Sequence, residues 1–164
     1  MIGIVIFTYR DRVQELSSYG YLGIFLVAMI STATILLPVP GIMVVFAMGA
    51  VLNPFLTALF AGLGAAIGEL FGYLIGFSGQ GLAEKSNTIV RISEWMEVNR
   101  KYSDLGILVM AAIPNPFFDL VGIAAGTLKI PLWRFLLFCT IGSIIKMVFF
   151  ALAGAKSLNW IFNI

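Results

Sequence analysis

The sequence predicts an all-α integral membrane protein, built as an inverted repeat of a re-entrant helical hairpin followed by a transmembrane helix. The first observation is composition: 60% of the 164 residues are hydrophobic and 11% are charged, and the mean hydropathy is +1.03. A soluble domain is about one quarter charged. The second is a proline pair within each of two apolar segments, and the third is that the two halves share their order of prolines and glycines. We therefore expect a single membrane domain.

Several function classes are disfavoured by what the sequence lacks. A single cysteine, Cys139, excludes an intrachain disulfide and a multi-cysteine metal site, and the chain has no histidine. We therefore expect no metal, no cofactor and no enzymatic activity, because nucleophile–base pairs are scarce. A net charge of +2 is too small to suggest a nucleic-acid partner. At the start, charges follow the short apolar run Met1–Phe7, which is not the order of a signal peptide.

The first half of the chain is predicted to contain three elements. Residues 1–18 are too short to span a bilayer and are expected to form an interfacial helix. Residues 21–52 have apolar arms of about 17 and 11 residues, whereas a span needs about 20. They are predicted to form a re-entrant hairpin that is broken at Pro38, Pro40 and Gly41. The alternative is a spanning helix kinked at the prolines. Residues 55–77 are predicted to span the membrane and to pack through Gly64, Gly68, Gly72 and Gly76.

The second half repeats this plan after a charged linker. Residues 78–104 carry eight charges and are predicted to contain an amphipathic helix at the interface. Residues 105–128 are too short for two crossings and form the second predicted hairpin, broken at Pro114, Asn115, Pro116 and Asp119. Residues 132–155 are the second predicted span, and residues 156–164 are a tail outside the membrane.

The two predicted repeats, residues 19–77 and 105–155, correspond at an offset of about 77 positions. At that offset Gly49 matches Gly126, Pro54 matches Pro131 and Glu69 matches Lys146. A hairpin does not cross the membrane and a span crosses it once, so the second repeat is inverted. Inverted repeats whose broken helices meet near the midplane are typical of secondary transporters.

Four polar residues in apolar segments are the candidate transport site: Glu69, Asn115, Asp119 and Lys146. Ionisable residues within a membrane are functional candidates by default. The carboxylates could attract a headgroup amine or exchange protons, and Lys146 could attract a phosphate. The structural alternatives are an ion pair of Lys146 with Glu69 or Asp119, and a helix-capping role for Asn115.

These residues predict a pathway for lipid headgroups. A headgroup crossing hydrocarbon loses its hydration, and a polar furrow at the midplane lowers that cost. We expect phospholipids as substrates and protons as a further partner. The glycine face of residues 64–76 could instead form the contact of a homodimer. A carrier of a small solute is the runner-up. Counting Lys and Arg places the linker in the cytoplasm and both termini outside.

At these same residues the chain resembles a known family. The segment Gly64–Glu69 resembles the VTT domain of the DedA superfamily (SNARE-associated Golgi protein-like), and the runs 113–123 and 130–133 resemble its eukaryotic vacuole-membrane-protein branch. The resemblance covers roughly residues 20–155. It implies phospholipid scrambling in the eukaryotic branch, and proton-dependent movement of undecaprenyl phosphate or other lipids in bacteria.

The second break departs from the bacterial pattern. DedA members typically carry arginines there, where this chain has Asn115 and Asp119. The difference favours the scramblase-like branch, and an undecaprenyl phosphate carrier is the alternative. We expect the protein to reside in a prokaryotic plasma membrane.

Overall fold

A computed structural model describes residues 19–33, 39–79, 87–115 and 117–162, and in these ranges all regular structure is helical. The predicted helical class is therefore confirmed. The predicted interfacial helix at residues 1–18, and Pro38 and Pro116 of the two breaks, lie outside the described residues. The described helices are α1 (Tyr19–Ala33), α2 (Val39–Val51), α3 (Pro54–Phe77), α4 (Asn87–Val98), α5 (Ser103–Ala112), α6 (Phe118–Thr127) and α7 (Leu132–Phe162).

Two of these helices, α3 and α7, are long and apolar enough to cross a membrane. The side chain of Asn53 caps α3, since its Oδ1 accepts hydrogen bonds from the N–H groups of Phe55 (3.0 Å) and Leu56 (3.2 Å). Pro54 occupies the first turn, where its missing N–H costs nothing. Helix α3 therefore begins at the asparagine–proline pair that closes the first predicted hairpin.

Helix α7 begins after the matching proline. The carbonyl of Pro131 accepts from the N–H groups of Arg134 (2.9 Å) and Phe135 (3.1 Å), which starts the helix. The sequence placed the end of this helix at Ala155, but the helix continues to Phe162. Residues 156–162 contain neither proline nor glycine, so no local signal ends the helix earlier.

The outward faces of both long helices are apolar and exposed. Large apolar side chains recur about once a turn: Leu59, Leu63, Ile67, Phe71 and Leu74 on α3, and Leu137, Ile141, Ile145 and Phe149 on α7. Their exposure runs from 39% at Leu63 to 70% at Phe149. Soluble monomers rarely expose continuous apolar stripes of this size, whereas lipid solvates them. These stripes identify the chain as an integral membrane protein.

Helices α1 and α2 form an antiparallel pair. At one end, the N–H of Asn53 donates to the Tyr21 hydroxyl across 3.3 Å. At the other end Gly41 lies against Ser31, and a Cβ on Gly41 would come within 2.9 Å of the serine Cβ. We call the end at Tyr21 the open end of the first hairpin and the end at Gly41 its tip. Within the described residues, α1 covers Tyr19–Ala33 and α2 has 13 residues, so neither reaches there the roughly 20 residues that a span needs.

Helices α5 and α6 form the second hairpin, and each has ten residues. The start of α5, at Ser103 and Asp104, lies beside the end of α6 at Leu128 and the start of α7 at Arg134. This is the open end of the second hairpin. Its tip is the break from Ile113 to Phe117, where the two helices are joined.

The two hairpins approach α3 from opposite ends. The glycines predicted to form a packing face divide between them: Gly64 lies against Phe25 and Gly68 against Thr32 of α1, whereas Gly72 lies against Asp119 and Gly76 against Ile123 of α6. A Cβ on Gly68 or Gly76 would collide with its neighbour, while at Gly72 the Asp119 carbonyl oxygen is 3.4 Å away. The tips therefore meet between Gly68 and Gly72, past the middle of α3.

The linker helix α4 packs its apolar face onto the second hairpin. Ile89 and Met96 are buried there with Val121 and Ile123 of α6, while charged residues of α4 stay exposed. This agrees with the amphipathic pattern of the linker. The position of α4 at a membrane surface stays a prediction.

Candidate functional site

A cavity of about 310 Å³ lies between the tips of the two hairpins. The first hairpin contributes Ser31, Thr32, Gly41 and Ile42, and the second contributes Pro114, Asn115, Phe118 and Asp119. Glu69 of α3 and Lys146 of α7 complete its polar lining. The structure thus brings all four predicted site residues to one cavity, although they come from three separate segments: α3, the second break and α7.

Glu69 is the most buried charged residue of the site, with 4% of its surface exposed. It follows Gly68, where the close approach of α1 brings the first tip against α3. Its carboxyl group lies within hydrogen-bonding reach of the carboxyl of Asp119. A hydrogen bond between two carboxyl groups needs a proton on one of them. Proton exchange by this pair stays a prediction.

Asp119 lies in the first turn of α6, directly after the second break. The N–H groups at a helix N-terminus lack intrahelical partners and carry partial positive charge, which stabilises a carboxylate in that turn. The side chain is half-buried and faces Glu69 across the cavity. The break therefore supplies both the carboxylate and the helix end that favours it.

The side chain of Asn115 is occupied by the backbone of the break. Its Nδ2 donates to the carbonyls of Met110 and Ile113, both at 2.9 Å, and its Oδ1 accepts from the N–H of Phe117 at 3.0 Å. Phe117 is the capping residue of α6, so Asn115 ties the end of α5 to the start of α6. This favours the structural interpretation of Asn115, and a substrate contact stays a prediction.

Lys146 lies over an aromatic ring instead of pairing with a carboxylate. Its Nζ is 5.8 Å from the centroid of the Phe118 ring, within cation–π range. In the described part of the chain the only ion pair joins Arg134 to Asp104. No contact between Lys146 and Glu69 or Asp119 is as short as an ion pair among the described residues, although the charge of Lys146 interacts with both carboxylates. A structural role for this interaction and a role of the ammonium in binding a ligand both stay predictions.

Sequence reasoning missed the contribution of the first hairpin's polar residues. The hydroxyl of Thr32 donates to Ala28 (2.9 Å) on its own helix and lies 3.1 Å from the carbonyl of Ala65 on α3. Ser31 lies beside it in the lining. The serine–threonine pair near the first proline pair was the available signal, but such residues usually bond their own helix and carry little information.

Fold and site together define an all-helical membrane protein whose polar cavity lies between two broken hairpins. The chain belongs to the VTT-domain family, because the family model for the VTT domain matches residues 39–156. That range runs from the start of α2 to Lys156 and includes the whole second hairpin.

Similar curated proteins carry the name of vacuole membrane proteins. Vacuole membrane protein KMS1 of Arabidopsis thaliana is 30% identical over 133 residues, covering 66% of this chain and 32% of that protein. KMS2 of the same plant is 31% identical over 128 residues, covering 65% and 31%. Human vacuole membrane protein 1 is 49% identical over 49 residues, covering 29% and 12%. The chain spans about a third of the length of the two plant relatives.

No solved structure matches the chain. The named relatives are eukaryotic, and they support a membrane protein without supporting the predicted prokaryotic plasma membrane.

Proposed function

We propose that the protein is a lipid transporter of the scramblase type, which lets phospholipid headgroups cross the bilayer through the cavity between the hairpin tips. The observation that carries the proposal is the meeting of both tips at one cavity lined by Glu69, Asp119 and Lys146. Membership of the VTT-domain family and similarity to vacuole membrane proteins support a role within a membrane.

The proposal requires each hairpin to enter the membrane from its own side and return, as in an inverted repeat. Two pairs of packing contacts, whose partners are 77 or 78 positions apart, support this arrangement. Gly76 packs on the carbonyl of Ile123, and Gly154 packs on the carbonyl of Phe46, which lies 77 positions before Ile123. Likewise Gly126 packs on Tyr73 and Gly49 packs on Ala151. Each long helix thus receives the second arm of the opposite repeat's hairpin in a similar way.

The volume of the cavity suits a headgroup better than a whole lipid. A volume of about 310 Å³ is at the lower end for small-ligand pockets. Pro114 lines the cavity and is also exposed, so the cavity communicates with the outside of the helical bundle. In this mechanism the acyl chains stay in the bilayer while the headgroup passes between the tips.

The lining supplies opposite charges for a zwitterionic headgroup. The Lys146 ammonium attracts the phosphate, and a carboxylate of the Glu69–Asp119 pair attracts an amine. The N-terminal N–H groups of α6 add fixed partial positive charge. These groups replace hydration that the headgroup loses on leaving water, which lowers the barrier to crossing. No chemical bond of the lipid changes, so the proposal is of a transporter and not an enzyme.

A proton-coupled carrier of a small solute or of undecaprenyl phosphate is the second candidate. The proximity of the Glu69 and Asp119 carboxyls favours it, because two neighbouring carboxyl groups can share one proton and release it in each cycle.

Reconstitution in liposomes separates the two functions. A fluorescent phospholipid in both leaflets is bleached from outside, and the inner-leaflet fraction reports crossing. With no pH gradient imposed, we expect the protein to make the inner-leaflet fluorescence accessible to the bleaching reagent. An entrapped small solute should not leak. Crossing only under a pH gradient would support the proton-coupled carrier instead. Solute leak without lipid movement would refute the scramblase proposal.

A further inference from the structure

A second polar cavity, of about 610 Å³, lies at the open end of the second hairpin, away from the cavity between the tips. Its lining carries four cations and two carboxylates: Arg100, Lys101, Lys129, Arg134, Glu97 and Asp104. Positive charge is therefore in excess, and an anion is the ligand that the lining attracts.

Arg134 is held in place while keeping donors for a ligand. Its Nε donates to Oδ2 of Asp104 at 3.1 Å, and its Nη2 bonds the same oxygen. Both bonds end on one carboxylate oxygen, so within the described residues the Nη1 donors of Arg134 are not used by Asp104. A guanidinium fixed in this way is suited to bind a phosphate.

Lys129 has an unusual backbone for its residue type. Its φ is 51°, in the left-handed region, directly after α6. Its N–H donates to the carbonyl of Gly126 at 2.9 Å, and the N–H of Ile130 donates to the carbonyl of Ala125 at 3.0 Å, which ends the helix. Glycine adopts this conformation at less cost. Lysine occupies this position in spite of the cost of the left-handed backbone, and it places a cation at the cavity. A strained residue that lines a cavity indicates a role in binding.

An apolar cavity of about 400 Å³ adjoins the charged one, and Met96 lines both. Its lining includes Ile92, Trp95, Ile107, Val109, Met110 and Val121, with Arg91 as the one charged residue. Trp95 and Val109 are 50% and 43% exposed, so this cavity is open along the outside of α5.

The two cavities follow one another along α5. Ser103 and Asp104, at the open end, line the charged cavity. The apolar cavity is lined nearer the tip, by Gly106, Ile107, Val109 and Met110. Polarity therefore falls in the direction of the hairpin tip, in the same order as from phosphate to acyl chain in a leaflet.

We propose that the two cavities together bind one anionic glycerophospholipid. Its phosphate contacts Lys129 and Arg134, and one acyl chain lies against Trp95 and Val109. The proposal does not rest on lipid transport between the tips, because a lipid bound here need not cross. A free phosphate could satisfy the cations, but it would leave the adjoining apolar cavity without an occupant.

Trp95 provides a direct readout, since it lines the apolar cavity. In a Trp133→Phe/Trp160→Phe background it is the only tryptophan. The protein is placed in phosphatidylcholine nanodiscs with increasing amounts of phosphatidic acid brominated on its acyl chains, or of phosphatidylcholine brominated alike. We expect brominated phosphatidic acid to quench Trp95 fluorescence at a several-fold lower mole fraction in the nanodisc than brominated phosphatidylcholine. Equal quenching by the two lipids would overturn the proposal.

Lys129→Gly tests the headgroup site without threatening the fold, because glycine relieves the left-handed backbone. We expect the thermal midpoint to hold or rise while the phosphatidic acid fraction needed for half-quenching increases about fivefold, the worth of one cation near a lipid surface. Lys156→Gln, an exposed cation at the far end of α7, should leave quenching unchanged. Unaltered quenching in Lys129→Gly would contradict the assignment.

Soluble glycerol 3-phosphate distinguishes a lipid from a free phosphate. If it fails to relieve quenching at millimolar concentration, the acyl chain contributes to binding, as proposed. If it displaces the brominated lipid there, the site recognises phosphate alone and the lipid assignment is wrong.

Discussion

The carboxyl groups of Glu69 and Asp119 lie within hydrogen-bonding reach, although one is on the first long helix and the other on the second hairpin. This contact joins the two halves of the chain at the cavity between the tips. Neither carboxyl forms an ion pair with Lys146, so far as the described residues show. Glu69, Asp119 and Lys146 surround the cavity between the tips, where the opposite charges of a ligand could pair with them.

Asp119→Asn tests whether this carboxyl works through charge. Asparagine keeps the size and the hydrogen bond to Glu69 but cannot bind a proton or an amine. We expect lipid flux to fall about tenfold or more, as for a lost charged hydrogen bond worth about 1.5–3 kcal/mol. We expect the thermal midpoint in detergent to stay within about 3 °C, the shift for 1 kcal/mol in a chain of this size.

The matched control is Glu94→Gln, an exposed carboxylate on α4 that lines neither the tip cavity nor the two cavities beside the second hairpin. It should change neither flux nor melting. Full flux in Asp119→Asn would remove Asp119 from the mechanism and leave Glu69 as the remaining carboxylate.

Lys146→Met tests the cation of the site. Methionine keeps the length and the contact with Phe118, and no ion pair in the described residues is broken, so the fold should melt within about 3 °C of the wild type. Flux should fall, because the phosphate loses its partner. A loss of about 3–5 kcal/mol in unfolding free energy would instead reveal a structural ion pair. Flux assays beside thermal melts measure both effects.

The Lys and Arg count predicts that the linker lies in the cytoplasm, and accessibility of introduced cysteines tests this orientation. In a Cys139→Ala background, Asn87→Cys on α4 should react with a membrane-impermeant thiol reagent only after the cells are opened. Tyr19 is exposed at the start of α1, at the open end of the first hairpin. This end is expected on the side of the membrane opposite to the linker, so Tyr19→Cys should react in sealed cells. The reverse pattern would mean that the protein is inserted the other way round.

The second proline pair was enough to predict where α5 and α6 break, because proline acts locally, and the repeat offset aligned Glu69 with Lys146, which both line the cavity. At the first pair, Pro40 and Gly41 lie in the first turn of α2 and not between the helices, and residues 34–38 lie outside the described residues. The geometry of the site was not predictable in the same way. Asn115 turns to the backbone, and Lys146 lies over Phe118 without an ion pair. Both depend on ångström-scale packing at the tips that no residue pattern encodes. The contribution of Thr32 was missed for the same reason.

Convergence of the two tips can be tested by cross-linking. Ile42→Cys and Phe117→Cys provide one cysteine on each tip, because Ile42 lines the cavity and Phe117 is exposed beside it. A short bifunctional maleimide should link the pair in the Cys139→Ala background. Ile42→Cys with Tyr102→Cys, at the opposite open end, should not react; equal linking of both pairs would argue against converging tips.

The repeat itself can be tested through its equivalent glycines. A Cβ on Gly76 would collide with the Ile123 carbonyl, and a Cβ on Gly154 would collide with the Phe46 carbonyl. The two glycines are 78 positions apart and the two carbonyl residues are 77 positions apart. If these contacts are related by the repeat, Gly76→Ala and Gly154→Ala should each lower unfolding free energy by about 1–3 kcal/mol, the usual cost of overpacking.

The control for these variants lies on the same helix. A Cβ on Gly72 would meet nothing nearer than the Asp119 carbonyl oxygen at 3.4 Å, an ordinary contact, and alanine gains about 0.5–1 kcal/mol of helix propensity. It should therefore melt at or above the wild-type temperature, although it lies one turn from Gly76. Thermal melts of all three variants in one detergent decide the matter. Destabilisation by Gly76→Ala alone would show that the two hairpins pack on their long helices differently, and the equivalence of the halves would then be limited to their sequence.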